Sequence, residues 1–167
     1  MAYTDKKGGE AVRLDYKRLE KETGHEAGRA LLAGLWQQET GRPLPPISKT
    51  DRGKPFFAGE SYHFSISHTP RHAFCCLHNA NVGLDAEEMD RIPDPRLGER
   101  FLSPAERQRV AAAEAPRDAL LRLWVLKEAY AKYTGKGLGD FLKNTDFCPN
   151  DPRIQEIDGC YVAIITE

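Results

Sequence analysis

Val82-Gly83-Leu84-Asp85-Ala86-Glu87 and Trp124-Val125-Leu126-Lys127-Glu128-Ala129-Tyr130-Ala131-Lys132 are the stretches on which the reading of this chain turns. A strand period of two puts Val82, Leu84 and Ala86 on one face of the first and Gly83, Asp85 and Glu87 on the other. Such a strand packs its apolar face and aims two carboxylates at one point. Gly83 leaves that second face bare, so a ligand or another backbone can come close. The second stretch belongs to a helix, Ala119 to Tyr133, that is apolar nearly all round apart from Arg122, Lys127, Glu128 and Lys132. A helix of that composition is expected to be buried on most sides, and its charges then need partners. Glu128 and Lys132 stand four apart, on one face with Trp124. Three convergent acids beside a lysine point to a hard divalent cation holding a phosphorylated substrate. The ordinary alternatives are a solvated strand face for Asp85 and Glu87 and an i, i+4 helix pair for Glu128 and Lys132.

The chain has 167 residues, enough for one domain or two small subdomains sharing a core. Its formal net charge of -1 lacks the basic excess of a general nucleic-acid binder. No run reaches the length of a membrane span, and Met1 to Gly9 carry no apolar signal segment, so the expectation is a soluble, cytoplasmic monomer. Cys75, Cys76, Cys148 and Cys160 show no CxxC spacing. They read as structural thiols in a reducing compartment rather than as a zinc or redox motif.

Residues up to Glu20 are polar and weakly patterned, and no strand is legible there. A helix is expected from about His25 to Thr40, stopped by Gly41 and Pro43. Arg42 to Lys54 reads as an ordered loop, and Tyr62 to His68 as a strand with Tyr62, Phe64 and Ile66 turned, like Trp36, to the core. Ala73 to Leu77 and Asn81 to Glu87 read as two further strands joined by a turn at residues 78–81. An arginine-rich loop follows at Arg91 to Arg100, then a capping box opened by Ser103-Pro104-Ala105-Glu106. Phe141 to Cys148 and Cys160 to Ile165 are candidate closing strands. The pattern is α+β with antiparallel strands. Thr40-Gly41-Arg42-Pro43-Leu44 also echoes Thr134-Gly135-Lys136-Gly137-Leu138, each behind an apolar helix. The echo suggests two pseudo-repeated α+β subdomains, 1–78 and 79–167, of which the second kept the acid and the lysine.

These motifs, taken together from His25 to Leu138, resemble the 4′-phosphopantetheinyl transferases, in particular the larger, pseudo-dimeric surfactin-synthetase-activating type. Gly83-Leu84-Asp85-Ala86-Glu87 matches the family's Gly-x-Asp-x-Glu, and Trp124 to Lys132 its Trp-x-x-Lys-Glu-(three)-Lys. Gly135 to Leu138, Phe64-Ser65-Ile66-Ser67-His68, Gly53-Lys54-Pro55 and Arg100-Phe101-Leu102-Ser103 match the segments around them. The resemblance implies a cleft between the subdomains that takes coenzyme A, and a Mg²⁺ site made by Asp85, Glu87 and Glu128. It implies Lys132 on the pyrophosphate, Ser67 and His68 on the nucleotide phosphates, Lys54 and Pro55 by the adenine, and Arg29 at the 3′-phosphate.

The implied activity is that of a holo-[acyl-carrier-protein] synthase, with Glu128 and Lys132 catalytic. A carrier-protein serine attacks the β-phosphorus of coenzyme A and 3′,5′-adenosine bisphosphate leaves. The partner is an acyl or peptidyl carrier protein, with neither nucleic acid nor membrane involved. Arg91, Arg96, Arg100, Arg107 and Arg109 read either as a solvated face or as a patch that steers an acidic carrier. The alternative from a different class is a non-catalytic coenzyme A or carrier-protein binding module of the same fold.

Overall fold

Local hydrogen bonds set the ends of the helices. In the computed structural model, which describes residues 11–166 and the backbone of residues 2–3, α1 (Gly24–Thr40) starts at a capping box. Thr23 Oγ1 accepts from Glu26 N at 3.2 Å while the Glu26 carboxylate accepts from Thr23 N at 2.8 Å. The expectation drawn from residues 1–9 falls, apart from the strand at 2–3, outside the described residues. The C-cap of α1 is Gly41 at φ 67°, a left-handed turn that a glycine makes without steric cost. The helix α2 (Arg96–Phe101) lies in the arginine-rich segment, and α3 (Pro104–Ala112) begins at the expected box of Ser103 and Glu106. The longest helix, α4 (Pro116–Thr134), ends at Gly135 with φ 66°, the same cap as α1.

Three antiparallel sheets complete the fold. The largest contains β1 (Ala2–Tyr3), β2 (Val12–Arg18), β5 (His63–His68) and β6 (His72–His78) in the order β1-β2-β6-β5. A second contains β7 (Gly83–Glu88), β8 (Ile154–Ile157) and β9 (Cys160–Ile165) in the order β7-β9-β8, and β3 (Ile47–Lys49) pairs with β4 (Pro55–Phe57). Alternation along the strands separates the cores. Ala73, Cys75 and Leu77 of β6 pack with Leu32, Leu35 and Trp36 of α1, while Phe74 and Cys76 face Leu84, Ala86, Val162 and Ile164 of the second sheet. On the far side, Tyr161, Ala163 and Ile165 meet Leu121, Val125 and Ala129 of α4. The layers therefore run α1, first sheet, second sheet, α4.

Five sequence expectations need correction. The stretch Arg91 to Arg100, expected as a loop, contains α2 from Arg96 onward. The stretch before Glu20 contains β2, whose Val12 and Leu14 are buried against Phe74 and Cys76. Its apolar face is too short to stand out against the charged residues between. Arg42 to Lys54 contains β3. Residues 78–81 do not form a hairpin, because both edges of β6 are already paired with β2 and β5. Phe141 to Cys148 is no strand: a 3₁₀ turn spans Asp140–Asn144. The Leu142 and Thr145 carbonyls converge there on the ammonium of Lys127, with Leu142 O at 2.7 Å.

Lys127 is the charged exception that the apolar helix was expected to need a partner for. It is fully buried and pairs at 2.7 Å with Glu106, itself fully buried. Glu106 also accepts from Ser103 N and Phe147 N, each at 2.8 Å. One buried ion pair thus ties α3, α4 and residues 142–147 together. Among the described residues no helix is long and apolar enough to cross a membrane. Lys127→Met should destabilise the fold by about 3–5 kcal/mol, because Glu106 is left buried without its cation. Urea unfolding monitored by tryptophan fluorescence measures this, and a change under 1 kcal/mol (roughly the value of a surface pair) would show that the pair carries no such load.

Candidate active site

The site sits where β5, β7 and α4 meet, and Gly83 sets how closely they approach. A Cβ on Gly83 would lie 2.1 Å from Ala129 O and 2.4 Å from Tyr133 N, so α4 rests on the bare strand backbone. Of the two partners foreseen for that bare face, the structure shows another backbone. The other edge of β7 is held by serine hydroxyls instead of a strand ladder. Ser65 Oγ accepts from Leu84 N at 2.9 Å, and Ser67 Oγ accepts from Ala86 N at 3.3 Å. The small polar face of β5 is what allows the two sheets to meet there.

Asp85, Glu87, Glu128 and Lys132 come together as the spacing implied, and Asp85 and Glu87 are buried, which removes the solvated-face alternative. Asp85 Oδ1 accepts from Ser67 Oγ and from Lys132 Nζ, both at 2.8 Å, and Lys132 also donates to Ile66 O at 3.3 Å. Asp85 Oδ2 is buried with no hydrogen-bond partner. Glu87 Oε1 accepts from the Trp124 indole at 3.2 Å and from Arg91. Burial, then the charge of Asp85, pushes the Glu128 carboxyl up to about 8, against the pull of Lys132. Glu87 is raised for the same two reasons, burial first and Asp85 second. Glu128 and Lys132 are thus more than a surface helix pair.

The donor set fits a hard divalent cation. It offers carboxylate oxygens alone, one of them unsatisfied, in a site whose negative charge already forces one acid toward its neutral form. In this arrangement Lys132 and Arg91 supply the positive charge.

Two cavities adjoin this cluster. One of ≈ 590 Å³ is lined by Ser67, His68, Asp85, Glu87, Arg91 and Lys132 among others. The second, of ≈ 290 Å³, shares Ile66, Glu128 and Lys132 with it and continues past Lys54, Pro55 and Leu138. His68 is exposed, its ring lying over Gly24 so closely that a Cβ there would meet His68 Cγ at 2.5 Å. Ser67 is buried and its hydroxyl is engaged by Asp85 and Ala86 N. Lys54 lines the second cavity, and its ammonium donates to Asn81 Oδ1 at 2.7 Å and Tyr133 O at 2.8 Å. Arg29 is exposed on α1 and lines neither cavity.

The arginines are individually engaged: Arg96 with Asp94, Arg107 with Leu102 O, Arg109 with Phe147 O, and Arg100 over the Phe101 ring. The sequence reading missed Trp124 as a donor to Glu87 and Arg91 as its counter-ion. An indole N–H on an otherwise apolar buried helix needs an acceptor, which was the available signal.

The family model of the 4′-phosphopantetheinyl transferase superfamily matches residues 81–160, the stretch that holds β7 and α4. Over that stretch, just under half of the chain, the protein is similar to this superfamily. It is 39% identical over 80 residues to the 4′-phosphopantetheinyl transferase psf-1 of Bacillus pumilus, covering 47% of this chain and 34% of that protein. It is 32% identical over 95 residues to Sfp of Bacillus subtilis (strain 168), covering 55% of this chain and 42% of Sfp. HetI of Nostoc sp. (strain PCC 7120 / SAG 25.82 / UTEX 2576) is 31% identical over 118 residues, 66% of this chain and 49% of HetI. The matches span less than half the length of each of these relatives.

The raised Glu128 carboxyl predicts a pH signature in metal-free buffer. A carboxyl raised from 4.5 to about 8 leaves stability intact below pH 4.5 and removes it progressively as pH climbs to about 8. Glu128→Gln should therefore raise the thermal midpoint over wild type at pH 8, with the gain shrinking toward zero near pH 4.5. Differential scanning calorimetry across that range checks it; a gain that does not vary with pH would contradict the shift.

Proposed function

We propose that this chain transfers the 4′-phosphopantetheine arm of coenzyme A to a serine of an acyl or peptidyl carrier protein. The observation that carries the reading is the cluster of buried Asp85 and Glu87 with part-buried Glu128 and Lys132, opening into adjoining cavities, within the stretch that matches this superfamily. The relatives are named for the same transfer. Residues 1–78 and 79–167 are read as the two related halves, each with an apolar helix capped by a left-handed glycine.

In this reading Asp85, Glu87 and Glu128 hold Mg²⁺. When bound, the ion neutralises the pyrophosphate and the charge that builds on the leaving oxygen. Lys132 leaves Asp85 for the pyrophosphate, and Arg91 releases Glu87. Glu128, ionised once its neighbours' charge is balanced, accepts the proton of the attacking serine. Ser67 orients Asp85, and His68 meets the nucleotide phosphates at the exposed end of β5. The stems of Lys54 and Pro55 form the wall beside the adenine. Arg29 is the candidate for the 3′-phosphate, where its planar fork suits a dianion. Arg96 and Arg100, both exposed, are candidate carrier contacts.

Incubation with coenzyme A, Mg²⁺ and an apo-carrier protein, followed by intact mass spectrometry, should show the carrier gaining one phosphopantetheine group. Asp85→Asn preserves an acceptor for Ser67 but removes charge from the site. It should cut turnover by on the order of 10²-fold or more, the scale for losing an electrostatic stabiliser, with circular dichroism unchanged. A carrier left unmodified by wild type while coenzyme A still binds would favour the binding-module alternative.

A further inference from the structure

We propose that His72, Glu88 and Cys160 form a site for a zinc-type divalent transition-metal ion, which staples the two main sheets together. Their ligand atoms all lie within 4.8 Å of one another, and all three residues are buried. Two of the three ligand–ligand distances match the edges of a metal-binding tetrahedron. His72 Nδ1 lies 3.1 Å from Glu88 Oε1 and 3.4 Å from Cys160 Sγ. Zinc bond lengths at tetrahedral angles give edges of about 3.3 Å between nitrogen and oxygen and about 3.5 Å between nitrogen and sulfur.

The surroundings have the form of a supporting shell. The other ring nitrogen, His72 Nε2, lies 3.1 Å from Asp158 Oδ2, the carboxylate–histidine arrangement that fixes the tautomer of a metal-bound imidazole. Asp158 is in turn held by Arg18 through Nε at 2.7 Å. Arg71 takes Glu88 Oε2 at 2.6 Å, which leaves Oε1, steadied by Thr69 Oγ1 at 2.5 Å, turned to the cluster. A cavity of ≈ 430 Å³ bounded by Arg71, His72, Glu88 and Asp158 adjoins two of the three ligands and offers an approach from solvent.

The site is distinct from the acid cluster. Asp85 and Glu87 lie on the α4 side of β7, whereas Glu88 alternates to the side that faces the first sheet. His72 comes from β6, Glu88 from β7 and Cys160 from β9, so one ion would join the two sheets across the end of their shared core. On binding, the Cys160 S–H bond breaks, its proton goes to solvent and a metal–sulfur bond forms. His72 binds through Nδ1 as the neutral ring and keeps its proton on Nε2 toward Asp158. Nitrogen and sulfur select zinc-type ions, whereas the acid cluster offers oxygen alone.

Co²⁺ titration of the full chain, freed of metal by a chelator, tests this. One equivalent should give tetrahedral visible bands with a thiolate-to-cobalt charge-transfer band. That band should persist in Cys148→Ser, which removes the exposed thiol, and in excess Mg²⁺, and should be lost in Cys160→Ser. Asp158→Asn provides a second variant, since Asn tolerates the left-handed φ of 49° there. It should weaken zinc by about 10–100-fold in competition with a chromogenic chelator. The proposal is overturned if wild type gives no stoichiometric band, if the band survives Cys160→Ser, if Mg²⁺ erases it, or if zinc affinity ignores Asp158→Asn.

Discussion

The approach of α4 to the backbone of β7 at Gly83 is the constraint on which the site depends. With Ala129 O and Tyr133 N occupying the space of a side chain, the helix lies closer to the strand than a Cβ would permit. That closeness brings Glu128 and Lys132 to Asp85, and Trp124 to Glu87. It also removes solvent from the acids, and burial is the largest cause of the raised Glu128 carboxyl. Geometry and electrostatics here have one origin, a missing methyl group.

The charges around β7 are arranged by face. On the α4 side, Lys132 and Arg91 offset carboxylates that have too few donors, and Asp85 Oδ2 keeps none. A polar group buried in that state is costly unless a ligand completes it. On the opposite side Glu88 is fully engaged by Thr69, Arg71 and His72. Further along α4, Lys127 faces Glu106, away from both, and organises residues 142–147. A single strand and a single helix thus carry an under-coordinated oxygen cluster and well-partnered ones side by side.

What the sequence made legible was local. Helix ends could be read at Ser103, Gly41 and Gly135 because these residues act within one turn. The acid face of β7 and the spacing of Glu128 and Lys132 follow from periods of two and 3.6 residues. The strands β2, β3 and β8 escaped because pairing, not composition, makes them strands: β2 is defined by its register with β6, some sixty residues away. The turn at 140–144 escaped because its shape answers to Lys127. His72, Glu88 and Cys160 share no spacing signature, since His72 stands 16 residues from Glu88 and 88 from Cys160. For Lys54 and Ser67 the family resemblance implied ligand contact, while the fold engages their polar atoms internally.

The central claim is that close packing at Gly83 buries Glu128 beside Asp85 and so perturbs it. The direct measurement is the ¹³C chemical shift of the Glu128 carboxyl against pH, in metal-free wild type and in Gly83→Ala. The account predicts a midpoint near 8 in wild type, falling toward the ordinary carboxylate range when the added Cβ pushes α4 away. A wild-type midpoint near 4.5, or a raised midpoint unchanged by Gly83→Ala, would contradict it.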